Sequence, residues 1–177
     1  MIRVVVADDQ ALMRTALEHF VAQAEDLEVV GSAEDGVQAL EAARTLAPDV
    51  VLMDMQMPRM DGVEATARIS AEAPGVRVLA ITTFSSEQYL VPALRAGAAG
   101  YLVKDAPPAE VVDAIRRVHA GDAVFSARVA ADLVEAVTAA PEHTAPCPAE
   151  PLAPHERLTE RELDVVRELA KGASNAE

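Results

Sequence analysis

The sequence predicts an α/β fold: a doubly wound, five-stranded parallel sheet covered by helices, followed by a C-terminal helical extension. Three observations carry this. Short apolar runs (Val4-Val5-Val6-Ala7, Val50-Val51-Leu52-Met53, Val78-Leu79-Ala80-Ile81 and Tyr101-Leu102-Val103) alternate with longer segments of helical periodicity. Strands that are apolar throughout are buried on both faces, which requires a parallel sheet sandwiched between helices. Polar residues follow or end these runs: Asp8 and Asp9, Asp54, Thr82 and Lys104. In an open parallel sheet the carboxyl ends of neighbouring strands lie side by side, so these residues are expected to converge.

Taken in order, Ile2–Ala7 reads as a strand, and 11–24 as a helix with Leu12, Ala16 and Phe20, and Leu17 and Val21, at helical spacing. Residues 28–33 are strand-like, and Gly36–Leu46 is a helix with Val37, Leu40 and Ala43 on one face. Pro48 ends that helix ahead of the strand Val50–Asp54. A helix over 61–73 is closed by Pro74-Gly75, and 76–82 is the fourth strand. The fourth helix is expected over 87–96. Pro92 then falls well inside it, where it removes a hydrogen bond; either the helix starts later than Glu87 or Pro92 loosens it. Gly100–Val103 is the fifth strand. The fifth helix spans 107–120, with Pro107 and Pro108 in its first turn, where a missing N–H costs little.

Residues 1–121 thus form one domain, closed by Gly121. Residues 122–140 read as a linker helix, with Val129, Leu133 and Val137 in a stripe from Val124 onward. Five prolines between 141 and 154 make 141–157 a stiff, extended linker. In 158–177, Thr159 and Glu162 have capping-box spacing, and Leu163, Val166, Leu169 and Ala170 share one face.

Composition narrows the function. The 177 residues are 51% hydrophobic with no Trp and five aromatics, so the core rests on Val, Leu, Ile and Ala. Net charge is −14, and every segment is acidic: −8 over 1–121, −4 over 122–157 and −2 over 158–177. Phosphate-backbone binding needs clustered Lys and Arg, so little DNA affinity is expected of these residues. No apolar stretch reaches membrane-spanning length, and no charged-then-apolar leader precedes the first strand. The single Cys147 has no partner for an internal disulfide, which points to a reducing cytoplasm.

The five strand-end residues form a chemically complete set. Asp54, fixed at the end of a buried strand, is a candidate phosphoryl acceptor. A dianionic phosphoryl group is repelled by a carboxylate, so Asp8 and Asp9 supply charge for a divalent cation, for which Mg²⁺ is suited. Lys104 and the Thr82 hydroxyl can pair with phosphoryl oxygens. Taken singly, each has a plainer reading. Asp8 or Asp9 can cap the helix that follows, Asp54 can be a buried carboxylate held by backbone N–H groups, Thr82 can be an ordinary strand residue, and Lys104 a solvated loop charge. All five at four strand ends favour the site.

The runs Val6-Ala7-Asp8-Asp9-Gln10, Leu52-Met53-Asp54-Met55-Gln56-Met57-Pro58-Arg59-Met60-Asp61-Gly62, Ala80-Ile81-Thr82-Thr83 and Gly100-Tyr101-Leu102-Val103-Lys104-Asp105 resemble the receiver domain of two-component response regulators. The resemblance implies a flavodoxin-like strand order, 2-1-3-4-5. It implies that Asp54 accepts a phosphoryl group from a sensor histidine kinase. Mg²⁺ would be held by Asp9 directly, Asp8 through water, Asp54 and the Gln56 backbone carbonyl. Thr82 and Lys104 would contact the phosphoryl group, and Tyr101 would be the aromatic whose rotamer follows Thr82; read alone, an aromatic opening a strand is edge packing. Asp105 departs from many receivers, which have proline after the lysine, joined by a cis bond. Residues 158–177 resemble the opening of the helix-turn-helix output domain of NarL/LuxR-type regulators. The expectation is a truncated regulator that binds DNA only in a full-length form and pairs into a homodimer on phosphorylation. Two other readings stand beside it: a Mg-dependent phosphatase of the haloacid-dehalogenase type, and a dimerisation module that works without phosphorylation. The phosphatase wants an aspartate two positions after its nucleophile, where this chain has Gln56.

Overall fold

The computed structural model describes residues 1–83 and 87–125, the side chains at 87 and 88 excepted. Its elements run β1 (Ile2–Ala7), α1 (Ala11–Ala22), β2 (Leu27–Ala33), α2 (Gly36–Leu46), β3 (Val50–Asp54), α3 (Gly62–Glu72), β4 (Arg77–Thr82), α4 (Glu87–Arg95), β5 (Gly100–Val103), α5 (Pro108–Ala120) and β6 (Val124–Phe125). All strand pairs are parallel, in the order β2-β1-β3-β4-β5-β6. The expected 2-1-3-4-5 order is present, with a two-residue strand added at the β5 edge.

Because side chains alternate across a strand, each apolar run feeds two cores. Val5, Ala7, Val51, Met53, Val78 and Ala80 pack with Leu40 and Ala43 of α2, Ala65 and Ile69 of α3, and Leu90 and Ala93 of α4. Val4, Val6, Val50, Leu52, Leu79 and Ile81 pack on the opposite face with Leu17 and Val21 of α1 and Val111, Ile115 and Val118 of α5. The α5 stripe is therefore core rather than an exposed pairing surface.

Helix entry is set by local chemistry. Asp35 and Asp61 cap α2 and α3, accepting from Gln38 N–H at 2.9 Å and Glu64 N–H at 2.8 Å. The cap of α1 is Gln10, not Asp8 or Asp9, and it makes no side-chain capping bond. Gly121 ends α5 at φ 103, a conformation that suits a residue without Cβ.

Two expectations are corrected, one alternative is decided and one bond left open by the sequence is assigned. Leu12 is 85% exposed and Val37 47%, so neither reaches the core, which takes Leu17 and Val21 of α1 and Ala39, Leu40 and Ala43 of α2. On α1 a helical period permits two adjacent stripes and the sheet covers one; on α2, Val37 lies in the first turn, at the margin of the face that Leu40 and Ala43 bury. Val124 and Phe125 form β6 instead of opening a helix, because they pair with Gly100 and Tyr101. Pro92 lies inside α4, which begins at Glu87, so a late helix start does not account for it. The peptide bond between Lys104 and Asp105 is trans. The rest of the 122–140 segment, the 141–157 linker and the Leu163, Val166, Leu169 stripe lie outside the described residues.

Candidate functional site

The chain turns from β1 to β2 on one side and crosses to β3 on the other, so the crevice at the carboxyl end of β1 is the switch point of the sheet. Register brings the candidates level. Ala7 pairs with Met53, Asp54 with Ile81, and Thr82 with Val103. Asp8 and Asp9 follow β1, Asp54 ends β3, Thr82 ends β4, and Lys104 follows β5.

The expected acidic group assembles. One carboxylate oxygen from each of Asp8, Asp9 and Asp54 lies within 4.8 Å of the others. Asp8 and Asp54 are buried while Asp9 is exposed, so the group opens to solvent on one side. Lys104 Nζ stands 2.9 Å from Asp54 Oδ2, to which it donates a hydrogen bond, and 2.6 Å from Asp8 Oδ2, an ion contact without hydrogen-bond alignment. The other oxygens are held by backbone: Asp8 Oδ1 accepts from Gln10 N–H at 2.9 Å, and Asp54 Oδ1 from Gln56 N–H at 3.3 Å. Lys104 is tied to β4 through its own N–H, which donates to the Thr82 carbonyl at 2.6 Å.

The electrostatics follow from three acids sharing one base. Burial, reinforced by the Asp8 charge, pushes the Asp54 carboxyl above its ordinary value despite Lys104. Burial alone would lower Lys104, but its contacts with Asp8 and Asp54 outweigh burial and hold the ammonium above the usual lysine range. Asp8 Oδ2 is a fully buried carboxylate oxygen with no hydrogen-bond donor. Such an atom beside two further carboxylates fits a hard divalent cation, which takes oxygen ligands and offsets surplus negative charge.

Tyr101 is buried between β4 and β6, not edge packing. Among the described residues its hydroxyl makes no aligned hydrogen bond, and burial, offset only in part by the Thr82 hydroxyl, pushes the phenol up to about 12. Gln56 is exposed, and its side-chain amide donates to the Tyr89 hydroxyl on α4 at 3.2 Å.

Three participants near the site were not singled out by sequence. Arg14 donates to the Asp8 carbonyl at 2.7 Å, and Arg59 forms an ion pair with the buried carboxylate of Asp35. The Asp35-Gly36 step ahead of a helical run is a visible capping signal, but its pairing with a loop arginine more than twenty positions away is not.

Residues 4–116 match the response regulator receiver domain family. The chain is 41% identical to the uncharacterised transcriptional regulatory protein YxjL of Bacillus subtilis, over 98% of this chain and 78% of the relative. It is 36% identical to the transcriptional regulatory protein LiaR of the same organism, over 100% of this chain and 80% of that one. A two-component response regulator of the LuxR family from Aurantimonas sp. SI85-9A1 superposes with a TM-score of 0.73 at 31% identity, covering 77% of this chain and 97% of that one. Fold, acidic pocket and relatives agree: the chain belongs to the two-component response regulators, its first domain a receiver of the NarL/LuxR kind.

Proposed function

We propose that this receiver takes a phosphoryl group on Asp54 from a sensor histidine kinase in the cytoplasm and thereby controls transcription. The observation that carries the reading is the Asp8, Asp9, Asp54 cluster with Lys104 bridging two of its members. Asp9, Asp8, Asp54 and the Gln56 carbonyl would hold Mg²⁺; when bound, it supplies the positive charge that screens phosphoryl oxygens from these carboxylates. An Asp54 oxygen attacks the phosphorus, the P–N bond to the kinase imidazole breaks, and the imidazole leaves with the electron pair and takes a proton. Positioning and charge stabilisation are most of what such a transfer needs.

Lys104 begins paired to Asp54 Oδ2, so it is in place to follow the charge onto a phosphoryl oxygen as the carboxylate is consumed. Thr82 donates its hydroxyl to a second oxygen. Tyr101, whose hydroxyl makes no aligned hydrogen bond among the described residues, then changes rotamer with Thr82 and passes the change to α4, which packs in the same core. Pro92 leaves one α4 hydrogen bond unmade and lowers the cost of shifting that helix. Phosphorylation favours a homodimer, and the helix-turn-helix output domain that 158–177 resembles carries the DNA contact. Gln56 stands where a phosphatase of the haloacid-dehalogenase type would place its general acid, so the pocket is suited to holding a phosphoryl group rather than turning it over.

Intact-mass measurement with acetyl phosphate and MgCl₂ tests this. The protein should gain a single phosphoryl group and Asp54→Asn none. A single addition to both, or to neither, would remove the assignment.

A further inference from the structure

A backbone carbonyl can serve as a metal ligand only if its loop is held, because it has no charge of its own to draw it to the ion. The loop between β3 and α3 that carries Gln56 is tied at three points. Gly62 N–H donates to the Met55 carbonyl at 3.2 Å, closing the loop at its base. Met60 N–H donates to the Pro58 carbonyl at 2.8 Å, and the Met60 carbonyl accepts from Gly36 N–H of α2 at 3.1 Å. The third tie is Arg59, whose guanidinium meets the Asp35 carboxylate beneath the loop.

That third tie is unusual in two ways. Arg59 has φ 67, the left-handed region that penalises any residue with a Cβ and that glycine adopts freely. Asp35 is 0% exposed, and its capping of α2 uses Oδ1, so its Oδ2 is free to face Arg59. A loop residue 60% exposed at its side chain is thus kept in a strained conformation and joined to a fully buried carboxylate. Strain of this sort persists where the surroundings over-determine it, characteristically beside functional sites.

We infer that Arg59 and Asp35 are a positioning pair: by pinning the outer half of the β3–α3 loop to α2, they hold the Gln56 carbonyl where a divalent cation in the Asp8, Asp9, Asp54 cluster meets it. Neither residue belongs to that cluster. The inference rests on the proposed Mg²⁺ site and adds to it the device that keeps its uncharged ligand in place. A plainer account is that Arg59 only neutralises Asp35 for the sake of the fold. The two accounts part on the sign of one effect. Removing a cation near an acidic pocket should tighten Mg²⁺ binding by simple Coulomb attraction, whereas loosening the loop should weaken it.

The test is calorimetric titration of the whole chain with MgCl₂, comparing wild type, Arg59→Gly and Asp35→Asn, with urea unfolding run on the same samples. Glycine accepts φ 67 without strain and asparagine retains a cap, so both variants are expected to fold. Positioning predicts a Kd about five- to tenfold weaker for each, with Arg59→Lys recovering part of the loss. An unchanged or tighter Kd in Arg59→Gly overturns the inference, as does a lost affinity that tracks loss of the folded state in urea. Wild type that binds no Mg²⁺ would instead remove the metal site itself.

Discussion

Replacing the proposed phosphoryl acceptor should make the protein more stable. In Asp54→Asn the perturbation is chiefly electrostatic, since asparagine keeps the shape and one acceptor oxygen, which can serve Lys104 at the expense of the long 3.3 Å bond from Gln56 N–H. The ionised Asp54 gains from Lys104 at 2.9 Å about 6 kcal/mol at an effective dielectric near 20. Two carboxylate neighbours within 4.8 Å each cost it about 3.5 kcal/mol or more on the same basis. These nearly cancel, and burial of the charge tips the balance against the ionised form. Lys104 loses little, because Asp8 remains 2.6 Å away. The expected gain is about 1–2 kcal/mol, which raises the urea midpoint by about 0.5–1 M. The effect has a defined pH dependence. Asp54 binds its proton more tightly in the folded chain than at the unfolded value of 3.8. The stability that protonated Asp54 contributes is fully present below that value and is lost as pH rises through the raised folded value. The variant's advantage should therefore be complete near neutrality and close on acidification. The assay is urea unfolding in chelator at neutral and acidic pH. Equal or lower stability of Asp54→Asn at neutral pH, or an advantage that persists in acid, would refute the reasoning.

The remaining predictions follow from the same contacts. Lys104→Met strips the cation that pairs with Asp8 and Asp54, the only one to do so among the described residues, and should destabilise by about 3–5 kcal/mol in chelator, with MgCl₂ restoring part; denaturation with and without Mg²⁺ checks this. Tyr101→Phe removes a buried hydroxyl that makes no aligned hydrogen bond among the described residues, so stability at neutral pH should be unchanged or rise by about 1 kcal/mol. With its phenol held at about 12, wild type should also lose more stability than the variant as pH rises from about 10 to 12, because only the unfolded chain gives up that proton there. Gly62→Ala would place a Cβ 2.1 Å from the Asp54 carbonyl and 2.7 Å from Met55 Cα, both backbone, and should destabilise by about 3 kcal/mol or more in a thermal or urea melt.

The strands were legible because their signal is strong. Val50-Val51-Leu52-Met53 is apolar at every position and is buried at every position, and Pro48 stops the preceding helix where expected. The pocket followed almost automatically, since parallel strands of similar length must end together. Helix faces were read less well. Leu12 fits a helical period as well as Leu17 does, and only the placement of the sheet decides which stripe is covered; Val37 shares a face with Leu40 yet stays exposed in the first turn of its helix. Val124 and Phe125 are too few to show a period, and their strand exists because the β5 edge lies beside them. The buried Tyr101 hydroxyl and the Arg59–Asp35 pair depend on backbone conformation and on contacts between elements distant in sequence, which no local pattern encodes.

The central claim is that one carboxylate, Asp54, takes the phosphoryl group. Treating the protein with acetyl phosphate and MgCl₂, reducing it with borohydride and mapping the peptides tests that directly, since reduction converts an aspartyl phosphate to homoserine. The account predicts homoserine at position 54 and at no other position, dependent on Mg²⁺. Homoserine at position 8 or 9, or none anywhere in a chain that has gained phosphoryl mass, would contradict it.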